Sequence, residues 1–267
     1  MVQLQLETTN VCDSACVFCP HSQMQRPKGT MDRALSYRIL DEAATIPIID
    51  HLSFVGLGEP LLDRYLIPRI AYARARMPGI WIDLTTDGSF LRPKMADALI
   101  EAGLSHLNVS LNATNRESRK AIMGIDNFDQ VVEYIEYARA AGAGKMTVTV
   151  KGIQEKDLME GGEPELFMLR WGTDGYLHQE GNWAGTMRPV RVVPKSPCVR
   201  ALRQIMVLWD GRVSLCCFDA EGAVILGDLN TQTLREVYGG ELALNIRRAH
   251  HEGRRGSLPL CGTCTAI

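Results

Sequence analysis

Cys12-Asp-Ser-Ala-Cys16-Val-Phe-Cys19 places three thiols within eight residues of chain, and this stretch decides how the rest is interpreted. It follows Val2-Gln-Leu-Gln-Leu6, whose alternating apolar and polar side chains predict a β-strand. A loop that leaves a strand end can fold three such side chains toward one point. Each iron of a [4Fe–4S] cube needs a ligand besides sulfide, so three cysteines leave one iron open. A closed zinc site needs four ligands, commonly as two pairs, and is the weaker interpretation. An accidental group of buried cysteines is weaker still.

The composition is that of an ordinary globular protein. The chain has 267 residues and a formal net charge of -2, and 22% of its residues are charged. This length predicts one large domain, or one domain with a small second one. No apolar run approaches a membrane span, and the scattered cations favour no nucleic-acid partner. With eight cysteines and no secretory signal, we expect metal or redox chemistry in a reducing cytoplasm and no disulfides.

Strands and helices alternate through the first two thirds of the chain. The apolar periodicities predict strands at 2–6, 51–55, 80–85, 106–111, 145–151 and 175–178, and helices at 31–44, 64–76, 93–102, 116–123, 128–141 and 164–171. Such βαβ units form a parallel sheet that closes partly into a barrel, with its chemistry at the carboxyl ends of the strands. The special residues fall at those ends: the cysteine loop, Gly58-Glu59-Pro60, Thr86-Asp87-Gly88, and Ser110 with Asn112. An ordinary turn or polar strand end is the alternative for each motif alone.

A second group of cysteines follows residue 190. Asp210-Gly211 between two apolar runs, 204–209 and 212–216, predicts a β-hairpin. The segment 226–229 comes next, then a helix to Tyr238 with Thr231 as its cap, and a helix at 242–250. The two histidines that end this helix are expected on its solvated face. Four thiols suit either a second iron–sulfur cluster or zinc by spacing alone, namely Cys198, Cys216, Cys261 and Cys264. Cys217 is left over as a neighbour, an alternative ligand or a free thiol.

The CxxxCxxC loop, with Phe18 before its last cysteine, resembles the radical S-adenosylmethionine (SAM) superfamily. The resemblance implies that Cys12, Cys16 and Cys19 hold a [4Fe–4S] cluster whose free iron chelates SAM. Cleavage of SAM then gives a 5′-deoxyadenosyl radical that takes a hydrogen atom from the substrate. Further SAM contacts carry over to Phe18, near the adenine; to Gly58, Glu59 and Pro60, near the amino group; and to Thr86, Ser110 and Asn112. Two positions depart from the usual pattern, Leu57 for glycine and Asp87 for asparagine. Lys151 is either a partner of the SAM carboxylate or a solvated lysine.

The C-terminal cysteines resemble the short auxiliary-cluster "twitch" module, a trimmed SPASM domain. The resemblance implies a second [4Fe–4S] cluster on Cys198, Cys216, Cys261 and Cys264. The resulting fold class is α/β: a partial (β/α)6, TIM-like radical SAM barrel at 1–190, and a small β-hairpin and helix twitch domain at 191–267. Trp183 is expected either to line the substrate site or to cap the barrel core.

A fully ligated second cluster suits electron transfer, and so a net two-electron oxidation. The compact architecture resembles the twitch-bearing dehydrogenases of aminocyclitol antibiotic pathways. We therefore predict oxidation of a secondary alcohol of a small cyclitol or sugar, with reduced flavodoxin or ferredoxin as electron donor. A radical epimerase with Cys217 as hydrogen donor, a peptide-modifying maturase and a non-enzymatic iron–sulfur electron carrier are the alternatives. No general base is identified.

Overall fold

The structure is a computed structural model, and it describes residues 1–153, 163–179, 181–188 and 192–266. The strands are β1 (Val2–Leu6), β2 (Ile49–Phe54), β3 (Trp81–Thr86), β4 (His106–Ser110), β5 (Thr147–Ile153), β6 (Gly175–His178), β7 (Gln204–Val207), β8 (Arg212–Ser214) and β9 (Ile225–Asp228). The helices are α1 (Arg33–Ala43), α2 (Leu66–Arg76), α3 (Pro93–Glu101), α4 (Arg116–Met123), α5 (Phe128–Gly142), α6 (Glu163–Trp171), α7 (Val199–Arg203), α8 (Leu234–Tyr238) and α9 (Glu241–His251).

The chain divides into two compact units. The first unit comprises Met1–Val11, Cys19–Gly58 and Gly181–Ile267, and the second comprises Cys12–Phe18 and Glu59–Glu180. Every predicted strand and helix is present within a few residues of its expected bounds, and α7 is an addition that the sequence did not predict. The expected domain boundary at residue 190 lies outside the described residues and stays a prediction.

In the first unit the strand order is β2-β1-β7-β8-β9. β1 runs parallel to both β2 and β7, whereas β7, β8 and β9 are joined antiparallel. The Asp210-Gly211 turn joins β7 to β8, and Gly211 has a φ of 92°, which confirms the predicted hairpin. Leu4 and Leu6 are fully buried, so the apolar face of β1 provides core.

The second unit contains β6-β5-β4-β3, all parallel where they pair. Residues alternate between faces along a strand, and the two faces of this sheet differ sharply. Leu84, Leu107 and Val150 are fully buried on one face, and α5 packs against β5. The alternate positions are half-buried and polar, and they include Thr85 and Asn108.

Helix caps follow the local sequence, with one correction. Asn115 caps α4 in a capping box with Ser118, and Gly124 ends that helix with a φ of 74°. The cap of α8 is Thr233, whose side chain accepts from the Glu236 N–H; the prediction of Thr231 was wrong. Thr233 and Glu236 have the three-residue spacing that a capping box needs, which Thr231 lacks. None of the described helices combines the length and apolar character needed to cross a bilayer.

Candidate cofactor sites

The cysteine loop of the second unit is fixed by three contacts. The Ser14 hydroxyl donates to Asp87 Oδ2 at 2.5 Å, which ties the loop to the end of β3. The backbone N–H groups of Ala15 and Val17 each donate at 3.0 Å to carbonyls in the last turn of α4. The last turn of a helix has carbonyls without an intrahelical partner, so this loop satisfies them. Asp87, which replaces the asparagine usual in the family, is therefore the acceptor that holds the loop.

The first cysteine of the loop, Cys12, lies in an acidic environment. The Cys12 sulfur and carboxylate oxygens of Asp13 and Asp87 all lie within 4.8 Å of one another. Burial, with a smaller contribution from the negative charge of Asp87, raises the pKa of Cys12 to about 12. Burial and Asp87 also raise the pKa of Asp13 to about 6. Because a thiolate is the metal ligand, iron binding must displace protons here. Cys16 lies 3.5 Å from the sulfur of Met123, and Cys19 belongs to the first unit.

Glu59 is buried at the end of the loop that follows β2, with only 2% of its surface exposed. Its Oε1 accepts from the Leu61 N–H at 2.9 Å and from the Thr86 hydroxyl at 2.7 Å, and its Oε2 accepts from the Asp87 N–H at 2.8 Å. Burial, together with the charge of Asp87, raises its pKa well above the usual range. A positively charged ligand beside Glu59 and Asp87 would stabilise the ionised carboxylates and so lower the raised pKa of Glu59. The ammonium and sulfonium of SAM have that charge.

Gly58 in the first unit has no room for a side chain. A Cβ atom at this position would lie 2.2 Å from the carbonyl oxygen of Thr9. Glycine therefore lets β1 and the segment after β2 approach closely, and it leaves the backbone open to a ligand. Leu57, the departure from the family pattern, is buried, and its N–H donates to Glu7. Pro60 opens a short 3-10 turn in the second unit.

A buried ion pair that the sequence did not predict supports this segment. Both guanidinium η-nitrogens of Arg26 donate to the Glu7 carboxylate at 2.6 Å. Glu7 Oε2 also accepts from the Leu57 N–H at 3.1 Å, and Arg26 Nε donates to the Ala220 carbonyl at 2.6 Å. Glu7 continues the polar alternation of β1, and this pattern is the feature of the sequence that could have pointed to Glu7. No local pattern identifies its partner.

Asn112 follows β4 in the left-handed region, with a φ of 55°, a conformation that asparagine tolerates better than most residues. Its side-chain amide lies 3.2 Å from the Met123 sulfur, and its buried Oδ1 has no hydrogen-bond partner among the described residues. Arg119, fully buried, donates to the carbonyls of Leu111 and Asp87 at 2.9 and 2.8 Å. An orphaned acceptor at a strand end fits a ligand that brings donors, as the ribose and adenine of SAM do.

The remaining predicted SAM contacts of the second unit lie near these groups in the chain. Phe18 ends the cysteine loop and is half-buried. Ser110 is the last residue of β4, where it pairs in register with Lys151 of β5. These positions agree with the expected strand ends, and their roles toward SAM stay predictions.

The four C-terminal cysteines all lie buried in the first unit. Cys198 precedes α7, Cys216 follows β8, Cys261 begins a short 3-10 turn and Cys264 follows that turn. Cys261 packs with Leu215 and Ile246 in an apolar cluster. Burial raises the pKa of Cys261 to about 11 and that of Cys216 well above its ordinary value, and nearby thiols add to both shifts. Separate elements of one unit thus contribute four sheltered thiols.

Two nitrogen-bearing side chains of the first unit are buried in the same region. His250 is fully buried, so the expectation of a solvated face was wrong for it; its Nδ1 accepts from the Cys198 N–H at 3.2 Å. Arg255 is 1% exposed, and its Nη2 donates to the Cys264 carbonyl at 3.1 Å. Three of their nitrogens have no partner among the described residues: His250 Nε2, Arg255 Nε and Arg255 Nη1. Orphaned donors on side chains that contact the backbone of Cys198 and Cys264 fit an anionic group bound near those cysteines.

An aromatic and cationic group surrounds the extra thiol, Cys217. The ring centroids of Trp183 and Phe218 lie 5.0 Å apart, and the guanidinium carbon of Arg200 lies 4.6 Å from the Phe218 centroid. The Cys217 sulfur lies 4.0 Å from the Gln204 amide oxygen and accepts a hydrogen bond from Arg200. Trp183 thus packs against the residue that follows Cys217.

Two protein-family models match this chain. The model of the radical SAM superfamily matches residues 6–160, and that of an iron–sulfur cluster-binding domain, SPASM, matches residues 198–265. The S-adenosyl-L-methionine-dependent 2-deoxy-scyllo-inosamine dehydrogenase of Niallia circulans is 23% identical over 265 residues, which cover 99% of this chain and 92% of the relative. A GTP 3′,8-cyclase of Aliarcobacter butzleri is 33% identical over 165 residues, 59% of this chain and 49% of the cyclase. The chain therefore spans about half of that relative.

Solved structures show the same fold. The crystal structure of BtrN in complex with AdoMet and 2-DOIA has a TM-score of 0.71 and 21% identity, and the match covers 100% of this chain and 94% of that one. Streptococcus suis SuiB bound to the precursor peptide SuiA has a TM-score of 0.71 and 14% identity, over 92% and 66% of the two chains. The predicted α/β fold with a C-terminal auxiliary-cluster domain is confirmed.

Proposed function

This chain belongs to the radical SAM superfamily of enzymes, and from that premise we propose that it oxidises a secondary alcohol of a small cyclitol or sugar to a ketone. The observation that carries the proposal is the second set of four buried thiols within the SPASM match. Four cysteines ligate every iron of a [4Fe–4S] cluster, so such a cluster exchanges electrons without binding substrate. A one-electron acceptor converts hydrogen abstraction into a two-electron oxidation.

The polar sheet face of the second unit supports a hydroxylated substrate. His106 Nε2 lies 2.7 Å from the Thr149 hydroxyl, which lies 3.3 Å from Asn108 Oδ1. Asn108 in turn lies 3.5 Å from the Thr85 hydroxyl. The inside of a closed β/α barrel is instead filled by bulky apolar side chains. Hydroxyls and amides that exchange donors and acceptors suit a ligand with many hydroxyl groups.

The residues of this chain bind and orient the cofactors. Cys12, Cys16 and Cys19 would hold the first cluster, and the buried Glu59 would accept hydrogen bonds from the SAM ammonium. When bound, SAM and its cluster would supply the 5′-deoxyadenosyl radical that takes a hydrogen atom from the carbinol carbon, and a cluster held by Cys198, Cys216, Cys261 and Cys264 would provide an acceptor for the remaining electron. The Ser14–Asp87 hydrogen bond keeps the cysteine loop in register with β3. Loss of the hydroxyl proton to a base or to solvent completes the ketone. Reduced flavodoxin or ferredoxin would supply the first electron, and the electron released by each substrate could then replace it in later turnovers.

The proposal is tested with anaerobically reconstituted protein, SAM, dithionite and a panel of cyclitols deuterated at their carbinol carbons. We expect one 5′-deoxyadenosine per ketone, with substrate deuterium in the deoxyadenosine. A protein with Cys12, Cys16 and Cys19 replaced by alanine should make neither product, yet should keep its second cluster. Deoxyadenosine formed without any ketone from the deuterated panel would overturn the oxidation. Iron absent from the triple variant would overturn the second cluster.

A second candidate function is radical epimerisation, and Cys217 favours it. Burial raises the pKa of this thiol, so it keeps the hydrogen atom that an epimerase must donate. An epimerase would incorporate solvent deuterium at the inverted carbon in heavy water, and Cys217→Ala would stall it. The dehydrogenase would incorporate none at that carbon and would retain ketone formation in the same variant.

A further inference from the structure

We infer that Arg255 and His250 are positioning residues that donate hydrogen bonds to the sulfur atoms of the auxiliary cluster and raise its reduction potential. The inference rests on the proposed second cluster. Neither Arg255 nor His250 is one of the four cysteine ligands. All of the residues involved belong to the first unit.

The tautomer of His250 is fixed by its surroundings. Its Nδ1 accepts the backbone N–H of Cys198, so in the neutral ring Nε2 carries the proton. That Nε2–H is buried and has no acceptor among the residues that the structure describes. A buried donor without an acceptor is unfavourable, because its lost hydration is not replaced. The side chain is anchored to one ligand cysteine through its other nitrogen, so the unused donor is held in a fixed direction.

Arg255 carries a buried positive charge. The guanidinium is essentially inaccessible to solvent and stays protonated in proteins. Within the described residues it makes one hydrogen bond, to the carbonyl of Cys264, and its Nε and Nη1 donate to nothing. An unpaired buried charge costs several kcal/mol, so a compensating anion is required.

A cluster bound by the four cysteines would accept hydrogen bonds from these donors. A four-cysteine [4Fe–4S] cluster is anionic, and reduction adds one more negative charge. A nearby cation and hydrogen bonds to sulfur stabilise the reduced form more than the oxidised form. Arg255 and His250 therefore favour acceptance of the substrate electron. The two residues lie next to ligands at opposite ends of the sequence of this domain, Cys264 and Cys198.

The test is a redox titration of the auxiliary cluster alone. The full chain with Cys12, Cys16 and Cys19 replaced by alanine is reconstituted, and the reduced cluster is followed by electron paramagnetic resonance at fixed potentials. We expect Arg255→Gln to lower the ratio of reduced to oxidised cluster at a given potential by about tenfold to a hundredfold, a shift of about 59–118 mV for one electron. His250→Asn keeps an acceptor for Cys198 and loses the Nε2 donor, and a shift of about threefold to tenfold is expected.

Two further variants separate tuning from structure. Arg255→Lys retains the charge and should recover most of the shift. Arg254→Gln alters an exposed neighbour that pairs with Glu252, and its potential should equal that of the parent. Exchange into heavy water should also produce deuterium couplings to the reduced cluster that weaken in both Arg255→Gln and His250→Asn.

Unchanged potentials in Arg255→Gln and His250→Asn, with full iron content, would overturn the inference while leaving the second cluster intact. If Arg255→Gln fails to take up iron, His250→Asn decides: a parental potential and parental deuterium couplings in that variant would overturn it. A parent protein without a second cluster would instead sink the proposed function.

Discussion

Arg26→Met should destabilise the protein strongly, because it leaves the Glu7 carboxylate buried and unpaired. The side chains of Arg26 and Glu7 are 4% and 0% exposed, and two hydrogen bonds of 2.6 Å join them. Loss of one partner from such a pair costs about 3–5 kcal/mol. At about 2–4 °C per kcal/mol for a chain of this size, the melting temperature should fall by about 6–20 °C. Glu7 also accepts from the N–H of Leu57, which precedes Gly58. A displaced Glu7 should therefore disturb this predicted SAM-binding segment and lower the affinity for SAM.

The assay is thermal unfolding of anaerobically reconstituted protein, followed by circular dichroism, with SAM binding measured on the same samples. Glu7→Gln combined with Arg26→Met removes the stranded charge and should recover part of the loss. Arg116→Met is the matched control, because Arg116 and its partner Asp126 are 58% and 44% exposed, and no measurable change is expected. If Arg26→Met unfolds at the parental temperature, the assignment of Glu7 and Arg26 as the support of the β2 end is refuted.

Three other outcomes are expected. Gly58→Ala places a Cβ 2.2 Å from the Thr9 carbonyl, so calorimetry should find at least about tenfold weaker SAM binding, whereas Gly79→Ala, in open space, should bind normally. Glu59→Gln removes the carboxylate that the SAM ammonium would keep ionised, and it should weaken SAM binding by about tenfold to a hundredfold; parental affinity would count against its role. The pKa of Asp13 is raised from 3.8 to about 6, so its protonated form stabilises the fold below pH 4 and this contribution is lost as the pH rises to 6. The melting temperature of apo Asp13→Asn, relative to the parent, should therefore rise between pH 4.5 and pH 7, and a constant difference would contradict it.

Local patterns in the sequence determined much of this protein. The alternation in Val2–Leu6, the periodicity of the helices and the Asp210-Gly211 turn each depend on neighbours within a few residues. The CxxxCxxC spacing and the terminal CxxC pair likewise lie within single loops, and they pointed to the cofactor chemistry. These features were recognisable because the residues that define them are close together in the chain.

Only the tertiary structure decided which distant side chains meet. Glu7 and Arg26 are 19 residues apart, and Ser14 and Asp87 are 73 apart. His250 looked like a surface residue in a polar helix end, yet the packing of α9 near Cys198 buries it completely. Burial and the loss of hydrogen-bond partners depend on the whole surroundings of a group, which no short stretch of sequence specifies. The electrostatic environments of both sets of thiols were therefore determined by the fold.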